Sequence, residues 1–157
     1  MDKILRKIEE TFTAVLLLII TFLLFINVVL RVFGLSIDWA EEFSRYSIIW
    51  ITFIGGSICI YKGAHIGIDS ITALLSSKGK IFLSIFTIIV SLVFSVIFTA
   101  KTFNLVKVTF ITGQLSSTLE VPMWIVYAAM PVGGVLMIIR FLQSLAKEIK
   151  KLKEGEN

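Results

Sequence analysis

Reactive and metal-binding side chains are nearly absent from this chain of 157 residues, which has one cysteine and one histidine. A lone Cys59 cannot form an intrachain disulfide or a cysteine metal cluster, and it indicates nothing about redox compartment. A lone His65 cannot supply both axial ligands of a bis-histidine haem, so a respiratory cytochrome anchor would need ligands from a partner. We therefore expect neither enzyme activity nor a cofactor in this chain.

Charge is also scarce, because charged residues make up 17% of the chain, hydrophobic residues 57%, and the mean hydropathy is +0.94. Soluble domains are closer to half apolar. Four apolar runs cover about 12–33, 43–61, 81–100 and 121–141, and the third can be extended to 112. Each is long enough to cross the hydrocarbon as a helix and too uniformly apolar for a barrel strand. The sequence predicts an all-α membrane protein in which residues 1–157 form one domain of four transmembrane helices.

Basic residues indicate the orientation. With the N-terminus inside, eleven of the 15 Lys and Arg residues lie on the cytoplasmic side, and four lie outside: Arg31, Arg45, Lys101 and Lys107. This asymmetry favours both termini in the cytoplasm and explains the net charge of +4 without nucleic acid. The first apolar run lacks a small-residue cleavage site after it, which favours an uncleaved span over a signal peptide.

Two short amphipathic segments are predicted to lie flat on the cytoplasmic membrane surface. Residues 1–10 place apolar side chains on one helical face and basic ones around the other, and residues 65–75 repeat apolar side chains at helical spacing. His65 and Asp69 are four residues apart in the second segment. A hydrogen bond that fixes this loop is favoured over metal binding, which would need more ligands.

Charges and aromatic residues are concentrated where the second span begins. Asp38 and Glu41 resemble a capping box, and Glu41 and Arg45 have the spacing and order of a favourable helical ion pair. Glu42 then lacks a full partner unless Arg31 or a second protein supplies one. A solvated helix start is one interpretation. We favour a partner interface composed of Asn27, Arg31, Trp39, Glu41, Glu42, Arg45, Tyr46 and Trp50.

Asn27 is expected to bond to Arg31 or to cap a neighbouring helix, and Arg140 to reach the membrane surface from its span end. Small and hydroxyl side chains at helical spacing predict close helix contacts with hydrogen bonds across them, and Pro131 predicts a kink. The predicted packing residues are Gly55, Gly56, Ser84, Thr87, Ser91, Ser95, Pro131 and Gly133.

Polar groups at membrane depth are otherwise rare, which argues against a transport pathway inside this chain. No acidic residue lies between Thr11 and Leu30, whereas a small multidrug exporter would carry one in its first span.

The ordered set of motifs resembles the small membrane subunit of tripartite ATP-independent periplasmic (TRAP) transporters. The resemblance covers nearly the whole chain, and each piece alone is weak. Its residues are Asn27 and Arg31; Trp39-Ala40-Glu41-Glu42 with Arg45, Tyr46 and Trp50; Gly55-Gly56; His65-Ile66 with Asp69; Pro122-Met123-Trp124 with Tyr127; Pro131-Val132-Gly133; and Arg140.

This resemblance implies a multi-pass protein of a bacterial or archaeal inner membrane that belongs to a secondary importer of organic acids, such as C4-dicarboxylates or sialic acid. It implies two protein partners, a large elevator subunit and a periplasmic substrate-binding protein. Sodium coupling is expected in the large subunit, whose stationary part this chain would support. The alternative is a self-sufficient small channel or exporter that works as a homo-oligomer.

Overall fold

The computed structural model describes residues 2–61 and 77–154, which form four long helices and one short one. The helices are α1 (Asp2–Val32), α2 (Asp38–Tyr61), α3 (Ser77–Thr112), α4 (Met123–Tyr127) and α5 (Ala129–Glu154). Four stretches are long and apolar enough to cross a membrane: α1, α2, α3, and α4 together with α5. The predicted all-α membrane fold with four spans is confirmed. Its orientation in the membrane stays a prediction.

The first helix runs without interruption from Asp2 to Val32, so residues 2–10 are not a separate surface helix. The reason lies in Glu9, which is buried within the bundle and therefore keeps this segment in line with the span. The other predicted surface segment, with His65 and Asp69, lies outside the described residues.

Gly34 ends the turn after α1 with a φ of 74°, a backbone conformation that glycine adopts without strain. The Leu35 N–H donates to the Leu30 carbonyl at 3.0 Å, which closes the helix end. The chain then reverses within a few residues, and this short connection places the start of α2 beside the end of α1.

The bundle is arranged with α2 and α5 in the middle. The most extensive packing joins α3 to α5, followed by α2 to α5 and α1 to α2. With 36 residues, α3 is about 54 Å long and ends at Thr112, the further of its two predicted ends. It exceeds the thickness of the hydrocarbon and must tilt or project from it.

Pro131 accounts for the division of the last span. Proline has no N–H to donate to the carbonyl four residues earlier, which belongs to Tyr127. The helix is interrupted at Ala128, directly after Tyr127, although the flanking bonds from Ala128 to Trp124 and from Val132 to Ala128 are kept at 2.9 and 3.1 Å. The predicted irregularity is present, one turn before the proline.

Glycine allows α5 to approach α2 closely. A Cβ added at Gly133 would lie 2.6 Å from the Phe53 Cβ and 2.8 Å from its carbonyl oxygen, and one at Gly56 would lie 2.6 Å from the Met137 methyl carbon. Gly55, in contrast, has no neighbour within 4 Å of that position. Gly133 and Gly56 therefore lie at the helix contact, and Gly55 does not.

The hydroxyl groups of α3 were expected to form hydrogen bonds to a facing helix, and they do not. Thr87, Ser95 and Thr99 donate to carbonyls four residues earlier in their own helix, at 2.7–2.9 Å. Ser95 is buried, and the other predicted packing residues of this helix, Ser84, Thr87 and Ser91, are half-buried. Self-bonded hydroxyls are compact, and they fit a close packing surface without a partner on the facing helix.

Candidate functional site at the two ends of the bundle

A tight loop between α3 and α4 lies beside the predicted interface, at the end of the bundle where α2 begins. The predicted orientation places this end outside, and it is called the outer end; the opposite end is called the inner end. The Ser116 N–H donates to the Val121 carbonyl at 3.0 Å, and the Met123 N–H donates to Gln114 at 2.9 Å. Gly113 and Glu120 have φ angles of 63° and 52°. The resulting hairpin turns the N–H groups of its tip inward.

Glu42 receives these N–H groups. Its Oε2 accepts from the N–H of Thr118 and Leu119 at 2.9 and 2.8 Å. Its Oε1 accepts from the Tyr46 hydroxyl at 2.7 Å and from the Ser117 N–H and hydroxyl at 3.1 and 3.2 Å. The side chain is buried, with 7% exposure. The expectation that Glu42 lacks a full partner in this chain is wrong, because a backbone nest holds its charge.

Arg31, rather than Arg45, pairs with Glu41. The Arg31 guanidinium lies 2.7 Å from the Glu41 carboxylate, and both side chains are more than half exposed. The expected Glu41–Arg45 pair is therefore absent, and so is the capping box. Arg45 is exposed and makes no ion pair with any residue in the described ranges 2–61 and 77–154.

Asn27 takes the second of its two expected roles. It is buried at the end of α1, and its Oδ1 accepts from the Ile37 N–H at 2.7 Å. Ile37 directly precedes α2, so Asn27 satisfies one of the free N–H groups at the start of that helix. The bond fixes the angle between the first two helices.

The aromatic residues of the predicted interface differ in how free they are. Trp39 is 43% exposed and packs edge-to-face against Phe43, with ring centroids 6.2 Å apart. Tyr46 and Trp50 are half-buried and line an apolar cleft of about 420 Å³ that reaches Phe12. Thus Asn27, Glu42 and Tyr46 are engaged within the chain, whereas Trp39 and Arg45 remain available to a partner.

A second buried carboxylate lies at the opposite end. Glu9 of α1 and Arg140 of α5 are 4% and 1% exposed and form an ion pair of 2.8 Å. Ser57 of α2, itself fully buried, donates to the other Glu9 oxygen at 3.1 Å. Arg140 also donates to Gln143 at 3.3 Å. The expectation that Arg140 reaches the membrane surface is wrong, because its charge is neutralised inside the bundle.

Sequence reasoning missed this pair because its two residues are 131 positions apart. One signal was present. Arg140 stands between Ile138-Ile139 and Phe141-Leu142, within an apolar run rather than after it. A charge in that position requires a buried partner, and Glu9 at the opposite end of the chain is the acid that supplies it.

The charged side chains at the two ends do not form a group of metal ligands within the described residues. Over residues 2–61 and 77–154, no three His, Cys, Asp or Glu side chains come together as metal ligands. The buried charged residues there are Glu9, Glu42 and Arg140, each bonded within the chain. These bonds hold the helices and the loop before α4 in place, and they leave the exposed residues of the bundle free to contact other molecules.

Comparison with known proteins identifies a family for most of the chain. The profile described as the DctQ component of tripartite ATP-independent periplasmic transporters matches residues 9–151. The C4-dicarboxylate TRAP transporter small permease protein DctQ of Rhodobacter capsulatus is 31% identical over 110 residues, which are 70% of this chain and 48% of that protein. Its counterpart in Vibrio cholerae is 27% identical, with 87% and 69% covered.

A longer relative also matches. The sialic acid TRAP transporter permease protein SiaT of Haemophilus influenzae is 30% identical over 146 residues, which cover 90% of this chain and 23% of that protein. The chain thus spans about half the length of the Rhodobacter relative and about a quarter of the Haemophilus one.

Proposed function

The chain belongs to the DctQ-component family of tripartite ATP-independent periplasmic transporters, and from this we propose that it is the small subunit that braces the large membrane subunit of such a transporter. Four apolar spans and this family make it a multi-pass protein of the inner membrane. The family is a class of transporter subunits, not of enzymes.

The observation that supports a bracing role is where the chain places its charges. In the described part of the molecule, each buried charge is bonded to another element of the same bundle: Glu9 joins α1, α2 and α5, and Glu42 joins α2 to the loop before α4. A pathway for an organic anion would need polar groups that a substrate could reach at membrane depth. These bonds instead hold the helices and the loop of the bundle to one another.

Exposed apolar surface supplies the area for contact with a large membrane partner. Large apolar side chains are exposed along α1 and α3, among them Phe22, Phe25, Phe86 and Phe94. In a bilayer such faces meet lipid or other helices with little difference in transfer free energy, so shape decides which. We propose that part of this surface packs on the stationary part of the large subunit.

The proposed substrate is an organic acid. Three relatives are named for C4-dicarboxylates, one for sialic acid and one for isethionate, which are carboxylates and a sulfonate. The substrate and sodium sites are proposed to lie in the large subunit, and a periplasmic binding protein would deliver the substrate. Trp39 and Arg45 are the residues through which we propose that the outer end contacts one of these partners.

Reconstitution tests this function. Vesicles containing the large subunit, this chain and the binding protein should take up carboxylate, whereas those lacking this chain should not, and the two membrane proteins should co-purify in a one-to-one ratio. Uptake by this chain alone would instead establish the self-sufficient homo-oligomer. Arg45→Ala should lower uptake without changing substrate affinity of the binding protein, and Lys101→Ala, another exposed outer cation, is its matched control.

A further inference from the structure

Three cationic groups converge on one aromatic ring at the inner end of the bundle. The guanidinium carbons of Arg6 and Arg140 lie 5.3 and 4.8 Å from the centre of the Tyr61 ring, and the Lys147 ammonium lies 5.5 Å from it. All are within the distance at which a ring face attracts a cation. The groups come from α1 and α5, and the ring stands at the end of α2. This inner cation cluster therefore joins three helices.

The carboxylates nearby do not neutralise this cluster. Glu9 is committed to Arg140 at 2.8 Å, and Glu10 lies 3.9 Å from Arg6. Lys147 forms no ion pair with any residue that the structure describes. Three cations against two carboxylates leave one positive charge, and like charges held this close repel one another.

Hydrogen-bond donors are also left over in the same place. The Nε of Arg140 has no acceptor within the described part of the chain, although this side chain is 99% buried, its exposure being 1%. The Nε of Arg6 is buried and lacks an acceptor as well. Buried donors of charged groups are normally bonded. The cluster thus presents donors that suit an anion with several acceptor oxygens.

The level of the cluster in the bundle indicates the source of that anion. Tyr61 lies 19 residues after Glu42 on α2, which is about 28 Å along the helix and close to the thickness of the hydrocarbon. Tyr61 is therefore at headgroup level when Glu42 is at the opposite surface. Exposed apolar side chains lie at the same level of the bundle, within two residues of the cations: Ile8 on α1 and Leu142 and Ile149 on α5. A ligand with a charged head and acyl chains fits both features.

We propose that Arg6 and Lys147, positioned by the Tyr61 ring, bind the phosphate of an anionic phospholipid, such as phosphatidylglycerol, in the cytoplasmic leaflet. The buried Glu9–Arg140 pair lies beneath this site. The half-exposed Arg6 and the exposed Lys147 can change conformation to donate hydrogen bonds to the phosphate. The site would hold the inner ends of α1, α2 and α5 together through a component of the membrane itself. The proposal does not depend on the transport function.

Native mass spectrometry of the purified full-length chain tests it, with phosphatidylglycerol as the probe and phosphatidylcholine as the uncharged comparison. The double variant Arg6→Gln with Lys147→Gln should bind phosphatidylglycerol about 25-fold more weakly, because each of the two cations contributes about a factor of five to the affinity for an anionic lipid. The matched control is Lys101→Gln with Lys107→Gln, which removes two exposed cations from the other end of α3. Equal binding by wild type and the Arg6/Lys147 variant would overturn the site, and so would equal losses in both variants.

Three further variants separate loss of lipid binding from loss of the fold. Tyr61→Phe keeps the ring and should keep lipid binding, whereas Tyr61→Leu keeps an apolar side chain and should weaken binding. The exposed Lys147→Gln alone should weaken binding without lowering the thermal unfolding temperature. Inorganic phosphate at millimolar concentration is the competing probe. Displacement of the lipid by phosphate would assign the site to a free anion and overturn the lipid proposal.

Discussion

The two ends of the bundle each bury a carboxylate and satisfy it by different means. At the outer end the Glu42 charge is held by N–H groups of a single loop and a nearby hydroxyl. At the inner end the Glu9 charge is held by Arg140 and Ser57 from two other helices. Neutral donors shape a local surface, whereas an opposite charge joins distant parts of the chain. The outer end is therefore built to present a loop, and the inner end to fasten helices.

Removing Arg140 should have the largest effect on this comparison. Arg140→Ala leaves the Glu9 charge buried without its partner, which should destabilise the bundle by about 3–5 kcal/mol. Thermal unfolding in mild detergent measures the loss. Adding Glu9→Gln should recover part of it, since no buried charge then remains. The exposed Arg45→Ala is the matched control and should change stability little. An Arg140→Ala variant as stable as the wild type would show that the Glu9–Arg140 pair does not hold the helices together at the inner end.

The second-largest loss of stability is expected at the glycine contact between α2 and α5, which lies between the two ends of the bundle. Gly133→Ala forces a methyl group against the backbone of Phe53, and such overpacking should cost about 2 kcal/mol. Gly55→Ala meets nothing within 4 Å and should be neutral or stabilising, because alanine favours helix. Unfolding temperatures of the two variants give the measurement. Equal changes in unfolding temperature would mean that the close contact between α2 and α5 at Gly133 does not stabilise the bundle.

Loss of the outer carboxylate should be smaller and local. Glu42→Ala removes the acceptor of three loop N–H groups that water can partly replace, so we expect about 1–2 kcal/mol. Hydrogen exchange at residues 117–119 should accelerate about tenfold or more, while exchange in α5 stays unchanged. Glu41→Ala is the neighbouring control. Unaltered hydrogen exchange in the loop would mean that Glu42 does not hold it, and the proposed difference between the outer and inner ends would then be wrong.

The exposed Arg31–Glu41 pair should have the smallest effect. Both side chains are in solvent, and such pairs contribute about 0–1 kcal/mol. A double-mutant cycle with Arg31→Ala and Glu41→Ala should give a coupling free energy within that range, and it should shrink as salt is added. A coupling as large as that of Glu9 and Arg140 would contradict the division between surface and buried charge.

The helices of this fold could be predicted from sequence because a bilayer restricts the choices. In a bilayer, runs of about 20 apolar residues are expected to be helical spans. Pro131 interrupts the backbone hydrogen bonds of its helix because proline has no N–H, whatever the helix packs against. Helix ends were less certain, since hydropathy marks the membrane and not the last hydrogen bond. Thus α3 begins at Ser77 and continues to Thr112, beyond the apolar run of 81–100.

The candidate site was harder to predict because its contacts are distant in sequence. Glu42 is held by backbone N–H groups 75 to 77 positions away, and a backbone group has no signature in the sequence. Local spacing favoured Glu41 with Arg45, yet the turn at Gly34 brings Arg31 closer. The composition of the cluster was informative, but the pairing depended on the loops.

The distance along the chain between Glu9 and Arg140 has a consequence for synthesis. The two residues are 131 positions apart, so the pair cannot form until the ribosome has made the segment that contains Arg140. Before that, Glu9 has no buried counter-charge, and burial would be costly. We expect the segment around Glu9 to stay hydrated at the membrane surface until α5 has been made. A chain that stops before Arg140 would leave the Glu9 carboxylate without its partner, so α1 would not be joined to α5.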